Sequence, residues 1–186
     1  MARRVRDGEA DIGITLSSVP EAGIRVELRY PSPVLAVMAS DHPLAGQRQV
    51  SFSQVTAYPL ALPLKNSSLR HLLDISCSRQ GLRYTPVLQS NHADALVSFA
   101  AAGGGGVAFY GEISVRTRLK AQSIVAIPLR DREMNERYLE VQTMAGRNLP
   151  EAGKAFVQHL VAAIQAAGGG LGRSEAVTGE SGSNPE

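Results

Sequence analysis

Asn91-His92-Ala93-Asp94-Ala95-Leu96-Val97-Ser98-Phe99-Ala100-Ala101-Ala102-Gly103-Gly104-Gly105-Gly106-Val107-Ala108-Phe109 is the stretch from which the fold is read. Ala93, Leu96, Val97, Ala100 and Ala101 recur at the spacing that lines one face of a helix. Glycines 103–106 close that helix, since glycine takes the left-handed backbone that helix ends favour. Val107-Ala108-Phe109 then reads as a short strand, and residues 84–88 in front read as another. Asn91 followed by Asp94 resembles a capping box, with Asn and Asp where Ser or Thr and Glu or Gln are usual. Strand, helix, glycine turn and strand form the repeating unit of an α/β fold.

The pattern continues on both sides. Residues 10–14, 24–28, 34–38 and 60–64 read as strands, the second by alternation and the third as a buried apolar run. Ser51 opens a brief helical stretch through Phe52 and Val55. Asn66, Ser67 or Ser68 can cap a helix whose inner face is Leu69, Leu72, Leu73, Ser76 and Cys77, ended by Gly81. Downstream, residues 112–120 read as a helix, and 124–129 and 137–144 as strands. Pro150 starts a closing helix with Phe156, Leu160, Ala163 and Ile164 inward. Residues 168–186 carry no periodic apolar face and are expected to be disordered. The alternation predicts largely parallel sheets.

Composition limits the classes of function. With 44% hydrophobic and 19% charged residues, the 186-residue chain has material for a sizeable core. The single cysteine, Cys77, rules out an intrachain disulfide, and no apolar run approaches the ~20 residues of a membrane span. A secretory leader is not read at the start, so the cytoplasm is the expected compartment. The net charge of +2 is unevenly spread. Residues 63–127 hold seven basic side chains (Lys65, Arg70, Arg79, Arg83, Arg116, Arg118, Lys120) against three acidic (Asp74, Asp94, Glu112), a balance of +4. That excess suits an anionic small molecule and is too dispersed for a nucleic-acid footprint.

Catalytic patterns fail on context. Gly103-x-Gly105-x-x-Ala108 fits a relaxed dinucleotide fingerprint, but it closes a helix and enters a strand, the reverse of what that motif needs. Ser68, His71 and Asp74 follow one another along one helix and cannot converge on a reacting atom. His42, His71, His92 and His159 are scattered, so neither a metal nor a cofactor is expected. Cys77 reads as a small core residue. Glu133, Glu136 and Glu140 lie beside Arg130, Arg132 and Arg137 and read as a solvated turn. No catalytic constellation emerges, and an enzyme is not expected.

Four motifs in order carry a family resemblance. Val5-x-Asp7-Gly8-Glu9-Ala10-Asp11-Ile12-Gly13-Ile14 resembles the Gly-Glu-x-Asp signature of LysR-type transcriptional regulators. His42-Pro43-Leu44-Ala45 resembles their His-Pro-Leu turn, and Gly103-Gly104-Gly105-Gly106-Val107-Ala108 their helix-to-strand glycine turn. Phe156-x-x-x-Leu160 sits in the last helix, as in that family. The resemblance spans about residues 5–165. It implies an effector-binding domain with a two-lobed, periplasmic-binding-protein-like (type 2) fold, in which a small molecule binds between the lobes. Carried onto this chain, residues 1–62 and 128–167 form the first lobe and 63–127 the second. The family's winged helix-turn-helix and the first strand and helix of the effector lobe are not recognised here. The expectation is therefore an N-terminally truncated chain with an incomplete first lobe, reaching DNA only through the missing domain and oligomeric in its parent protein. Gly103 replaces the family's usual alanine and Gly111 a frequent proline, changes expected to loosen the backbone. A free-standing solute-binding protein and an enzyme of the same fold are the alternatives; the first would need a signal peptide and the second an acid–base pair.

The expected ligand is a small anion, by preference a carboxylate. Asn66, Ser67 and Ser68 open one helix of the second lobe, and Asn91 and His92 open the other. Free backbone N–H groups, the positive end of the helix dipole and the short polar side chains all favour an anion there. The resemblance implies that Thr15 faces the same cleft from the other lobe.

Overall fold

A computed structural model describes residues 2–17, 21–119 and 123–168. Its strands form two separate sheets. In the first, β1 (Ile12–Ser17), β8 (Tyr138–Met144) and β2 (Ile24–Pro31) lie in the order β1-β8-β2, all antiparallel. The closing helix α7 (Glu151–Gly168) covers one face, where Val157 and Ile164 pack with Val141, Ile12, Leu28 and Tyr30. The short helix α1 (Ala2–Arg6) buries Ala2 and Val5.

The second sheet has the order β5-β4-β6-β3-β7, built from β3 (Val34–Ala39), β4 (Leu60–Leu62), β5 (Leu88–Gln89), β6 (Val107–Gly111) and β7 (Ile124–Pro128). All six residues of β3 are buried because helices cover both sides. Val34, Ala36 and Met38 face α2 (Phe52–Val55) and α3 (Ser68–Arg79), through Phe52, Val55, Leu69, Leu73 and Cys77. Leu35 and Val37 face α4 (Ala93–Ala101) and α5 (Glu112–Leu119), through Leu96, Val97, Ala100 and Val115. Periodicity named the inner faces of α3 and α4 correctly.

Two short passages join the sheets. Residues 32 and 33 lead from β2 into β3. Residues 129–137, with the turn-like helix α6 (Arg132–Asn135), lead from β7 into β8. They touch where the Ser32 N–H donates to the Arg137 carbonyl at 2.8 Å.

Several expectations are corrected. The cuts at 62/63 and 127/128 do not follow the sheets, because β3 and β4 pair with β6 and β7 rather than with β1, β2 or β8. The charge blocks behind those cuts carry no information about β3 and β4, which are buried and uncharged. The smaller sheet is antiparallel throughout and the larger one is mixed. Only β4 is parallel to its neighbours β5 and β6, whereas β3 runs antiparallel to β6 and β7. Chain that shuttles between two sheets need not make the same-sheet crossovers that enforce parallel pairing. On α7, Phe156 is 53% exposed and the inward stripe is Val157, Leu160, Val161 and Ile164. Asn91 forms no capping box, since the residue at the N-cap of α4 is His92. Gly103, Gly104 and Gly105 have φ of +81°, +72° and +76°, so glycine is what the turn requires. A Cβ on Gly111 would come within 3.0 Å of the Ser32 hydroxyl, so that glycine permits a close approach at the junction. The tail expectation falls outside the described residues, apart from Gly168, which closes α7.

Candidate functional site

The starts of α3 and α4 lie side by side, and Asn66 and Asn91 bind them together. Asn91 Nδ2 donates to Asn66 Oδ1 at 3.2 Å, while Asn91 Oδ1 accepts from the Leu64 N–H at 3.1 Å. Ser67 and His92 occupy the N-cap positions with extended backbone, and neither side chain caps its helix. First-turn N–H groups have no partner within a helix, so both ends present donors. A cavity of about 420 Å³ opens there, lined by Asn66, Ser67, Ser68, Asn91 and Tyr110 from the larger sheet's side and by Leu16 of β1 from the other. Tyr110 is oriented by its hydroxyl, which donates to the Ala93 carbonyl at 2.7 Å. Four of the six residues expected to bind ligand thus share one cavity. Thr15 is not among its lining residues and its neighbour Leu16 is, since successive strand side chains point to opposite faces. Ala93, rather than His92, lines it from α4.

A neighbouring cavity of about 390 Å³ shares Leu16 and Ser68 with the first. His71 and Arg79 of α3, Glu133 of α6 and Arg137 at the junction also line it. Arg137 is 5% exposed. Its Nη2 donates to Ser68 Oγ at 3.4 Å, and its Nη1 is buried with no hydrogen-bond partner among the described residues. Burial pushes this guanidinium below its ordinary pKa, although arginine remains a cation at neutral pH. The acids nearby are engaged elsewhere. Glu133 faces Arg79 at 3.9 Å, and Glu136 accepts from Arg132 at 2.6 Å.

Sequence reasoning placed Arg137 and Glu140 in a solvated turn, and both are buried. Glu140 is 1% exposed on β8, 3.6 Å from Arg29, with Gln142 donating to it at 2.8 Å. Nothing in residue spacing separates Arg137 from Arg130 or Arg132; burial at the junction does so.

The other residues of interest have structural duties. Asp74 accepts from Arg70 Nε at 3.0 Å and from the Tyr84 hydroxyl, so it orients no histidine. Burial acts to raise the Asp74 carboxyl, but the bonds from Tyr84 and Arg70 outweigh it and hold the group below the usual range. Cys77 donates to the Leu82 carbonyl at 2.9 Å, and burial pushes its thiol up, away from nucleophilic reactivity. No described helix is long and apolar enough to cross a membrane.

Comparison with known proteins agrees with this architecture. The effector binding domain of QuiR in complex with shikimate superposes with a TM-score of 0.66 at 17% identity, covering 89% of this chain and 77% of that one. The Synechocystis PCC6803 CcmR regulatory domain in complex with 2-PG gives 0.70 at 18% identity, covering 87% and 77%. Full-length BenM gives 0.66 at 14% identity, covering 88% of this chain and 54% of that one. The chain therefore spans about three quarters of the isolated regulatory domains and about half of a full-length regulator. A search of curated proteins finds no significant match. These likenesses establish the two-lobed, periplasmic-binding-protein-like fold. The sequence itself matches the LysR substrate binding domain over residues 1–165, and the chain belongs to that family.

Proposed function

We propose that this domain senses a small organic anion, by preference a carboxylate, in the cleft between its sheets, and that a parent regulator uses the signal to control transcription. One observation carries the reading: Asn66, Ser67, Ser68 and Asn91 meet at two helix starts, over a cavity that Leu16 closes from the opposite lobe. Uncapped helix N-termini favour negative charge, and short hydroxyl and amide side chains add donors without filling the space. His92 contributes through its place at the N-cap, and Thr15 only through the strand that carries Leu16. Support comes from a structural relative described with shikimate, itself a carboxylate. The role we propose is binding, since among the described residues the cavity lining offers helix-start donors rather than an acid–base pair. A ligand that prefers one arrangement of the lobes shifts their population. In an oligomeric cytoplasmic parent, that shift would reach DNA through a separate DNA-binding domain.

The test is calorimetric titration of the chain with a panel of organic acids and amines. Ser67→Ala combined with Asn91→Ala should weaken the responding acid at least about tenfold, equivalent to ~1.4 kcal/mol. Unchanged affinity in the double variant, or a response to amines alone, would refute the assignment.

A further inference from the structure

Arg137 poses a problem that the helix-start site leaves open. It lies almost wholly out of water, donates one long hydrogen bond to Ser68 Oγ, and leaves Nη1 unpartnered among the described residues. A buried cation without a counter-ion is costly, and proteins rarely keep one unless something pairs with it. The charged groups around it do not serve. Arg79 faces Glu133, Glu136 is taken by Arg132, and Glu140 lies against Arg29 and Gln142. The cavity at Arg137 adjoins the helix-start cavity, and Leu16 and Ser68 line both.

We propose that Arg137 forms a second anion subsite at the junction of the lobes, so that the effector carries two anionic groups, one held at the helix starts and one by this guanidinium. The inference rests on the helix-start reading and adds a requirement to it. A guanidinium offers paired N–H donors to a carboxylate or a phosphoryl group, and the unpartnered Nη1 supplies one of them. Ser68, shared by both cavities, stands between the subsites. The location also has a consequence for signalling. The Arg137 carbonyl accepts from the Ser32 N–H, so the residue that takes the anion is part of the contact between the two passages joining the lobes. Binding at the side chain therefore acts directly on the segment about which the lobes can move.

The test follows arginine side-chain NMR resonances of the whole chain, with the Arg137 signal identified by its loss in Arg137→Lys. Titrants are inorganic phosphate, acetate and the α,ω-dicarboxylates from succinate to adipate. The Arg137 resonance should move saturably with phosphate and with the dicarboxylates. The best dicarboxylate should bind at least about tenfold tighter than acetate, a difference of ~1.4 kcal/mol. Arg137→Gln should remove that advantage, with Arg137→Lys falling between. A phosphate response stronger than any dicarboxylate response identifies the second group as phosphoryl; the reverse identifies a carboxylate. An Arg137 signal indifferent to every titrant overturns the subsite. So does a folded Arg137→Gln protein that keeps the dicarboxylate advantage. If Ser67→Ala with Asn91→Ala leaves acetate unaffected while Arg137 still answers phosphate, the helix-start reading fails and the subsite stands.

Discussion

Replacing His42 by alanine should unfasten the turn after β3 from the glycine run before β6. The imidazole is buried, with Nδ1 accepting from the Leu44 N–H at 3.0 Å and Nε2 lying 3.2 Å from the Gly105 carbonyl. An accepting Nδ1 puts the proton on Nε2, so the ring donates to Gly105 and links residues 63 positions apart. Its face packs on Tyr58 with centroids 4.5 Å apart. Alanine strands the buried Leu44 N–H, which costs about 1–3 kcal/mol, and forfeits the Gly105 bond, worth about 1 kcal/mol. The lost ring contact adds about 0.5–1.5 kcal/mol. Because the terms are not additive, a total near 3 kcal/mol is expected. For a chain of this size, that lowers Tm by roughly 6–12 °C. Urea unfolding followed by circular dichroism measures the change. His42→Asn should recover about 1 kcal/mol, because its side-chain oxygen can replace Nδ1 as the acceptor for Leu44. A cost below about 0.5 kcal/mol for His42→Ala, the range of an ordinary surface change, would refute the linkage.

Three more predictions test the same lobe. Gly106→Ala should cost roughly 1–3 kcal/mol in urea unfolding, because its Cβ would sit 2.7 Å from the Phe99 ring and 3.1 Å from the Phe99 carbonyl. Gly104→Ala meets no atom within 4 Å, so its loss, about 1–2 kcal/mol, should come from the φ of +72° alone. The Tyr84 phenol is pushed well above its ordinary value by burial, with the hydrogen bond to Asp74 adding to the rise and Arg70 opposing it. Its stabilising contribution is therefore complete below about pH 10 and is lost as pH climbs through the raised folded value. Phenolate absorbance should show a late-titrating component, and Tyr84→Phe should remove it and flatten the decline of stability above pH 10. Persistence of that component in Tyr84→Phe would contradict it.

Local periodicity and motif order were enough to recognise much of this protein. The inner faces of α3 and α4, the buried run of β3 and the glycine turn were legible because each is a property of consecutive residues. The two helix starts were legible as well, since Ser and Asn before an apolar stripe advertise unpaired N–H groups. On α7 the same logic slipped by one position, because Phe156 and Val157, and Ala163 and Ile164, are adjacent apolar pairs and either stripe fits the period. Strand partnership was not legible, because nothing in β3 or β4 states which strand will lie beside it, and that choice set the true junctions at residues 32–33 and 129–137. Asn91 became a strut between two loops instead of a cap through contacts with Leu64 and Asn66, both distant in sequence. Arg137 shows the limit most clearly. Along the chain it is one basic residue among acids, and a charge is solvated or stranded according to what packs around it in three dimensions. Only the folded junction, by burying its guanidinium while sending the neighbouring carboxylates to other partners, left it without an ion-pair partner among the described residues.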